Sequence, residues 1–244
     1  MRNIKIIIEY DGTNFCGWQK QPGRKTVQQE IETAIVKITR EKTIVYGSGR
    51  TDSGVHALGQ VANFKTNSDL TVNQLQKALN TNLPSDISII KAKEVPDTFH
   101  SQFSSKSKIY LYTILNRDCR SAVIGDRTWQ VSQILNLHNM KLASEFLLGT
   151  RDFQVFAHSG ITVKSTVRTV RNIKLSKKKD IINFEIEADG FLKRMVRLIV
   201  GTLVQVGKEK ITPKEFKKIL DSSQKTKFVI SAPPQGLFLK KVKY

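Results

Sequence analysis

Short apolar runs separated by polar turns set the pattern of this chain. Where apolar and polar positions alternate, or where a short apolar run lies between turn residues, the pattern predicts a β-strand. Segments of this kind are 4–10, 43–46, 60–64, 87–95, 108–115, 167–175, 181–188 and 236–242, and Phe228 is also expected to be extended. Several of these segments follow one another without an intervening helix, which favours antiparallel pairing.

Other segments repeat apolar side chains every three or four residues, which predicts amphipathic or buried helices. They are 27–38, 72–79, 140–148, 192–206 and the segment after Pro213. Three of them are preceded by a capping box, a threonine followed three residues later by Gln or Glu, at 26–29, 71–74 and 212–215. Each box satisfies backbone N–H groups at a helix start, so we expect helices to begin at these three places.

The mixture of strands and helices predicts an α+β fold. We expect two α/β domains built on mainly antiparallel sheets flanked by helices, because the second half repeats the rhythm of the first. The polar, irregular stretch 96–107 is the best candidate for the crossing between the halves. The expected domains are therefore residues 1–105 and 106–244.

The charge of the chain is unusual for a folded protein. It has 40 Lys and Arg against 21 Asp and Glu, a net charge of +19 spread over 244 residues. Such an excess predicts a polyanionic partner, most commonly a nucleic acid, although a solvated basic surface would have the same composition.

Membrane spans and metal sites are not indicated by the sequence. The apolar runs are far too short to cross a bilayer, and acidic residues interrupt any signal-peptide core. Cys16 and Cys119 are widely separated and form no zinc or disulfide framework. The histidines, which show no metal-ligand spacing, are His56, His100, His138 and His158. We therefore expect a soluble, cytoplasmic protein that needs no metal.

The stretch "GSGRTDSGVHA" (47–57) concentrates three glycines around Arg50 and Asp52. It is not a phosphate-binding P-loop, because Val55 and His56 stand where that loop needs Lys and Ser or Thr. It also lacks the third glycine of the dinucleotide-binding fingerprint. Taken locally, Asp52 is a turn aspartate that bonds its own backbone.

Six stretches in order, however, resemble the tRNA pseudouridine synthase A family. They are "EYDGTNFCGWQKQ" (9–21), "GSGRTDSGVHALGQVANF" (47–64), "KIYLYTI" (108–114), "LLGTRDFQVF" (147–156), "GFLKRMVRLIVGTLVQVG" (190–207) and "APPQGLFL" (232–239). The resemblance implies an enzyme that isomerises uridine to pseudouridine at positions 38, 39 and 40 of the tRNA anticodon stem-loop. It also implies no cofactor, a homodimer, and the pseudouridine synthase fold with RNA in a basic cleft between two domains.

The resemblance places the catalytic carboxylate, the nucleophile, at Asp52. The reaction breaks the N1–C1′ bond and rejoins uracil through C5, so one carboxylate can act by forming a covalent adduct or by taking a proton from the sugar. The reacting nucleotide must first be flipped out of the RNA. Arg50 is assigned by resemblance to that nucleotide or a neighbouring phosphate; the alternative is a plain surface arginine.

Tyr110 matches the family tyrosine that lies against the flipped uracil, where an aromatic face is worth about 1–3 kcal/mol by analogy with single-strand stacking. Tyr112 lies on the same strand face and is expected to support it; both could instead be core residues.

Arg197 shares a helix face with Val200 and Val204, where an unpaired charge would be costly. Asp52 is its expected partner, and an arginine that reaches water from the rim of the face is the alternative. Leu192 is expected to line the uracil pocket, or else to be a core leucine.

Two positions depart from the family pattern. Gln102 replaces an arginine, and Arg151 replaces a His or Asn before the Asp-Phe pair. Neither affects the residues assigned to catalysis, so we expect activity. The rival hypotheses are a non-catalytic RNA-binding module or tRNA chaperone, which would also explain the charge, and a synthase that acts on other uridines.

Overall fold

The computed structural model describes residues 1–158, 160, 163–222 and 224–244. They form two compact units: the first comprises residues 1–106 and 238–244, and the second residues 107–237. Both combine mostly antiparallel strands with flanking helices, which confirms the predicted α+β fold. Residues 238–244 belong to the first unit, although they lie within the expected second domain, 106–244.

The helices and strands of the described residues are named here in chain order. The strands are β1 (Arg2–Tyr10), β2 (Tyr46–Gly47), β3 (His56–Thr66), β4 (Ile87–Val95), β5 (Ser107–Leu115), β6 (Trp129–Gln130), β7 (Gly149–Asp152), β8 (Val167–Lys178), β9 (Ile181–Ala188) and β10 (Leu237–Lys243). The α-helices are α1 (Val27–Thr39), α2 (Val72–Asn82), α3 (Leu137–Glu145), α4 (Met195–Gly207) and α5 (Pro213–Leu220).

The sheet of the first unit has the strand order β4-β1-β3-β10. β1 runs antiparallel to β3 and β4, while β10 runs parallel to β3. Alternation along β1 buries Ile4, Ile6 and Ile8 completely on one face. Because side chains alternate across a strand, Asn3, Lys5 and Ile7 lie on the other face.

The sheet of the second unit has the order β5-β9-β8-β7, all antiparallel, with the short β6 parallel to β5. β9 buries every second residue, as its alternating sequence predicts. Helix α4 is buried on nearly all sides because it is the interior helix of this unit. Of its thirteen residues, only Arg197 is not buried.

Some element boundaries differ from the predictions for identifiable reasons. β2 is a two-residue strand at Tyr46–Gly47 instead of 43–46. α4 begins at Met195, because Arg194 takes a left-handed conformation with φ of 63° that ends the preceding turn. α3 begins three residues early, since the Asn136 side chain accepts a hydrogen bond from the Asn139 N–H and caps it. Phe228 lies in a turn.

The three predicted capping boxes have different outcomes. Those at Thr71 and Thr212 are complete, with both reciprocal hydrogen bonds present. The box at Thr26 is wrong, because its side chain makes no capping hydrogen bond. Thr26 is fully buried, and its Oγ1 has no hydrogen-bond partner among the described residues. A buried polar group without a partner destabilises a protein instead of stabilising it.

The isosteric change Thr26→Val should therefore leave the free energy of unfolding unchanged or raise it by up to about 1 kcal/mol. The matched change Thr212→Val removes a working cap and should lower it by about 1 kcal/mol. Urea unfolding of both variants beside the parent protein measures the two effects. A loss for Thr26→Val as large as that for Thr212→Val would contradict this account of the first box.

Candidate functional site

The loop of residues 48–55, which carries Arg50 and Asp52, connects β2 to β3. Arg50 is exposed and Asp52 is partly exposed. The start of the loop is bound to β3: the Ser48 N–H donates to the Val61 carbonyl at 2.7 Å, and the Gln60 side chain donates to the Gly49 carbonyl at 2.8 Å. The carboxylate therefore lies on a loop whose entry is fixed by the sheet.

The other side of this loop is bound by the segment that follows β1. The Trp18 N–H donates to the Thr51 carbonyl at 3.1 Å, and the Gly54 N–H donates to the Phe15 carbonyl at 3.4 Å. Beneath the loop, the Tyr10 hydroxyl lies 2.8 Å from the Thr51 Oγ1 in a buried hydrogen bond. The backbone is thus bound to this segment on both sides of Asp52, at Thr51 and at Gly54.

Two glycines allow the segment to approach the loop so closely. A Cβ atom at Gly12 would lie 2.0 Å from the Val55 carbonyl oxygen. One at Gly17 would lie 2.5 Å from the Thr51 carbonyl oxygen, and Gly17 also has a φ of 87°, which side chains disfavour. The structure thus explains why the glycines of residues 9–21 matter to the carboxylate, a contact that sequence reasoning did not identify.

His56 anchors the end of the loop and was also missed as a functional residue. It is 1% exposed and stacks on the Phe238 ring with centroids 4.8 Å apart. The Gly12 N–H donates to its Nδ1 at 3.0 Å. An Asp11 carboxylate oxygen also lies 3.1 Å from this Nδ1, so His56 connects the end of the loop to both Asp11 and Gly12.

In the second unit, Tyr110 and Tyr112 occupy one face of β5. Tyr110 is 7% exposed, and its ring meets the Phe191 ring edge-on at 4.9 Å. Tyr112 is fully buried and donates its hydroxyl hydrogen to the Pro233 carbonyl at 2.8 Å. Burial raises the pKa of Tyr112, and the nearby positive charge of Arg197 offsets only part of that rise, so Tyr112 is a neutral phenol.

Arg197 is bound to the same backbone segment as Tyr112. Its Nε donates to the Ala232 carbonyl at 2.7 Å, and the Ala232 N–H donates back to the Arg197 carbonyl at 3.0 Å. A Cβ atom at Gly201, one turn further along α4, would lie 1.9 Å from the Ile230 carbonyl oxygen. The glycine thus brings residues 230–233 against the helix, where they fix the direction of the Arg197 side chain.

The remaining predicted residues lie in different surroundings. Leu192 is 5% exposed, in the turn before α4, where its carbonyl accepts the Met195 N–H at 3.0 Å. Gln102, which replaces a family arginine, is exposed. Arg151 donates to the Leu148 carbonyl and lies 4.0 Å from the Asp221 carboxylate.

The five predicted site residues are distributed over both units. Arg50 and Asp52 belong to the first, while Tyr110, Leu192 and Arg197 belong to the second. The pairing of Arg197 with Asp52 stays a prediction. Among the described residues, no group of three or more His, Cys, Asp or Glu side chains could hold a metal ion. No helix in the described ranges is both long and apolar enough to cross a membrane.

The amino-acid sequence is similar to those of known proteins over most or all of its length. A family model described as tRNA pseudouridine synthase matches residues 6–104 and 143–244. A protein named tRNA pseudouridine synthase A from Thermoanaerobacter sp. (strain X514) is 50% identical over 244 residues, which is 100% of both chains. Another, named tRNA pseudouridine synthase A 2 from Clostridium perfringens (strain 13 / Type A), is 48% identical over 100% of both chains.

Similarity to a solved structure is much weaker. In a structure described as an H/ACA RNP bound to a substrate RNA containing 2′-deoxyuridine, one chain is 16% identical, with a TM-score of 0.34. The match covers 81% of this chain and 44% of that chain.

Because the phenol of Tyr112 is buried, its contribution to the free energy of unfolding should depend on pH. Tyr112→Phe removes the hydrogen bond to Pro233, so at about pH 7 it should lower the free energy of unfolding by about 1 kcal/mol. The folded-state pKa lies above the usual 10.0. The stability that this group contributes is therefore complete below about pH 10 and is lost as the pH rises further.

Urea unfolding of the parent and the variant at about pH 7, 10 and 11 measures this effect. The parent should lose stability more steeply than Tyr112→Phe above about pH 10, so that the difference between them narrows. Parallel curves over the whole range would contradict the burial of a neutral phenol at this position.

Proposed function

Since the chain belongs to the tRNA pseudouridine synthase family, we propose that it converts uridine to pseudouridine in tRNA, with Asp52 as the catalytic nucleophile. The proposed targets are positions 38, 39 and 40 of the anticodon stem-loop. One observation carries the assignment of Asp52: its carboxylate is partly exposed on a loop whose backbone is bound on both sides. A fixed loop with an accessible carboxylate is what a positioned nucleophile requires.

The chemistry needs little beyond such a carboxylate. The N1–C1′ bond breaks, the uracil turns, a C5–C1′ bond forms, the hydrogen at C5 leaves as a proton, and N1 takes up a proton. Bonds and electrons balance without an oxidant or a reductant. Asp52 acts by adding to the base or by taking a proton from the sugar, and in both routes it must be ionised and close to the reacting nucleotide.

We assign supporting roles to the other predicted residues. Arg197 would pair with Asp52 and keep it ionised, because a nearby arginine lowers the pKa of an aspartate. The two hydrogen bonds between Arg197 and Ala232 support this role, since they fix the side chain in one direction. Tyr110 would lie against the flipped uracil, Arg50 would bind that nucleotide or an adjacent phosphate, and Leu192 would line the uracil pocket.

The net charge of +19 supports binding of an RNA backbone. A base within a stem or loop must be extruded to reach the carboxylate, which costs a few kcal/mol of unstacking that phosphate contacts can offset. The proposal includes a basic cleft for the RNA, a homodimeric assembly and a cytoplasmic location, where tRNA is modified.

Tritium release tests the reaction and the catalytic residue together. On tRNA transcripts with 5-tritiated uridine, the parent protein should release tritium, while Asp52→Asn should lower kcat by about four orders of magnitude or more. The Kd for the same tRNA should stay within about threefold, because the phosphate contacts that dominate affinity are retained.

Asp52→Ala is a useful second variant, because it cannot regenerate the carboxylate by deamidation. If Asp52→Ala still makes pseudouridine, the catalytic assignment is wrong. If the parent binds tRNA but releases no tritium, the rival hypothesis of an RNA-binding module or tRNA chaperone is favoured.

The close backbone approach at Gly17 provides a test away from the carboxylate. Gly17→Ala should lower kcat by about 100-fold, because an added Cβ displaces the loop and a shift of about 1 Å at a reacting group has that effect. Gly23→Ala is the matched control: its φ of 66° is also positive, but a Cβ there meets nothing within 4 Å. If both variants lost kcat to the same extent, backbone strain alone would explain the loss. If Gly17→Ala kept the kcat of the parent, the close approach at Gly17 would not be needed for activity.

A further inference from the structure

An exposed group of aromatic rings lies on the first unit, outside the residues assigned to catalysis. Tyr46 in β2, His100 and Phe103 form what we call the aromatic surface. The centroids of the Tyr46 and His100 rings are 5.1 Å apart, and those of His100 and Phe103 are 4.4 Å apart. Phe103 is 79% exposed and Tyr46 is 43% exposed. Such exposure of an aromatic ring leaves apolar area in water that a partner could cover.

The backbone beneath the aromatic surface is held by a buried polar network. The Asn63 side chain donates to Asn3 Oδ1 at 3.0 Å and accepts the Ser101 N–H at 2.8 Å. Asn3 donates in turn to the Phe99 carbonyl at 3.0 Å, and the Ser101 hydroxyl donates to the Tyr46 carbonyl. Asn3, Asn63 and Ser101 are at most 3% exposed. Such satisfied networks fix the position of the groups that they connect.

His100 contributes to this order as well as to the surface. Its Nδ1 accepts the N–H groups of Gln102 at 3.2 Å and Phe103 at 3.4 Å. With Nδ1 accepting these hydrogens, the other ring nitrogen, Nε2, can donate to a base edge or a phosphate. The turn presents its rings in a fixed arrangement, so a flat ligand could bind without the cost of ordering them.

The location of the aromatic surface relates it to the catalytic loop. Tyr46 precedes Asp52 by six residues, which can span at most about 22 Å of extended chain. At about 3.4 Å per stacked base, this distance corresponds to about six nucleotides or fewer. An RNA whose reacting nucleotide lies at Asp52 therefore extends far enough to reach the aromatic surface.

Positive side chains lie on the same face of this sheet. Lys5 faces Asn63 on β3 and Lys93 on β4, and Lys65 faces Asn3. Partial burial and two like charges, Lys93 and Lys91, lower the pKa of Lys5, which shows how closely these cations are grouped.

Two acidic residues nearby pair with Lys65 and Arg2, so the positive charge that these pairs do not offset comes from Lys5, Lys91 and Lys93. The Asp97 carboxylate lies 3.2 Å from Lys65, and Glu94 lies 2.9 Å from Arg2. Cations and exposed rings together are the combination that binds single-stranded RNA, since cations bind the phosphates while bases stack on the rings.

We propose that the aromatic surface of Tyr46, His100 and Phe103 stacks an unpaired base of the RNA substrate, away from the nucleotide that reacts. This inference rests on the proposed function, because it takes tRNA as the ligand. Stacking on the surface contributes affinity and helps to position the RNA, while the chemistry at Asp52 does not depend on it.

Substitutions at Phe103 test the proposal in a tRNA transcript, with binding measured on the Asp52→Ala protein to exclude turnover. Phe103→Ala should raise the Kd by roughly 5- to 150-fold, the range for loss of one stacked base. Phe103→Leu keeps an apolar side chain but no ring, so it should lose nearly as much. Phe103→Trp should restore binding, and its added indole fluorescence should be quenched by tRNA.

The salt dependence of tRNA binding distinguishes the loss of a stacking contact from the loss of a phosphate contact. Phe103→Ala should shift the plot of log K against log salt without changing its slope, whereas loss of a phosphate contact lowers the slope by about one. With Asp52 intact, tritium release should show a raised KM and a kcat within about threefold of the parent. The melting temperature should not change, because the side chain is mostly in water.

Three outcomes would overturn the proposal: a Kd for Phe103→Ala equal to that of the parent, full binding by Phe103→Leu, or an RNA-free oligomeric state that changes with Phe103→Ala. The last would identify the surface as a contact between protein copies. None depends on catalysis. Absence of tritium release by the parent would instead refute the proposed function, so the two failures are distinguishable.

Discussion

The arrangement of the loop that carries Asp52 depends on the approach of two backbone segments closer than side chains would permit. Residues 12–18 contact residues 51–55 through carbonyl and N–H groups, and the absence of Cβ atoms at Gly12 and Gly17 makes this possible. Hydrogen bonds alone would not fix the loop, because they tolerate a range of donor–acceptor distances and so allow small shifts of the backbone. Close packing and hydrogen bonds from residues 12–18, together with the hydrogen bonds to β3, hold the backbone around Asp52.

The second unit uses the same principle at Gly201, where the helix approaches the carbonyl of Ile230. This contact aligns Ala232 with Arg197 and Pro233 with the Tyr112 hydroxyl. A single extended segment thus connects a cation to a buried phenol. Displacement of that segment would move both side chains, so their positions are coupled even though they lie on different elements.

Local patterns in the sequence predicted most elements and the candidate residues, but not the contacts that position them. The bounds of β4 and β9 agree with the predictions because alternation and flanking turns are local signals. The Thr26 box failed although Thr26 does precede α1: its buried hydroxyl makes no cap hydrogen bond, and a four-residue motif does not specify side-chain burial or orientation. The approach of Gly12 to Val55 and the network under Ser101 join residues far apart in sequence. The glycines of residues 9–21 were visible, but what they contact was not.

The last strand of the first unit has a consequence for biosynthesis. β10 pairs with the start of β3, with Phe238 opposite His56, although about three quarters of the chain lies between them. The second unit is one contiguous segment, residues 107–237, and the ribosome synthesises it before residues 238–244. The second unit can therefore fold while the sheet of the first unit still lacks its last strand. Until β10 arrives, the side of β3 next to His56 has no partner strand, and such an open edge invites pairing with other chains. The order of synthesis thus makes the unit that carries Asp52 the later of the two to be completed.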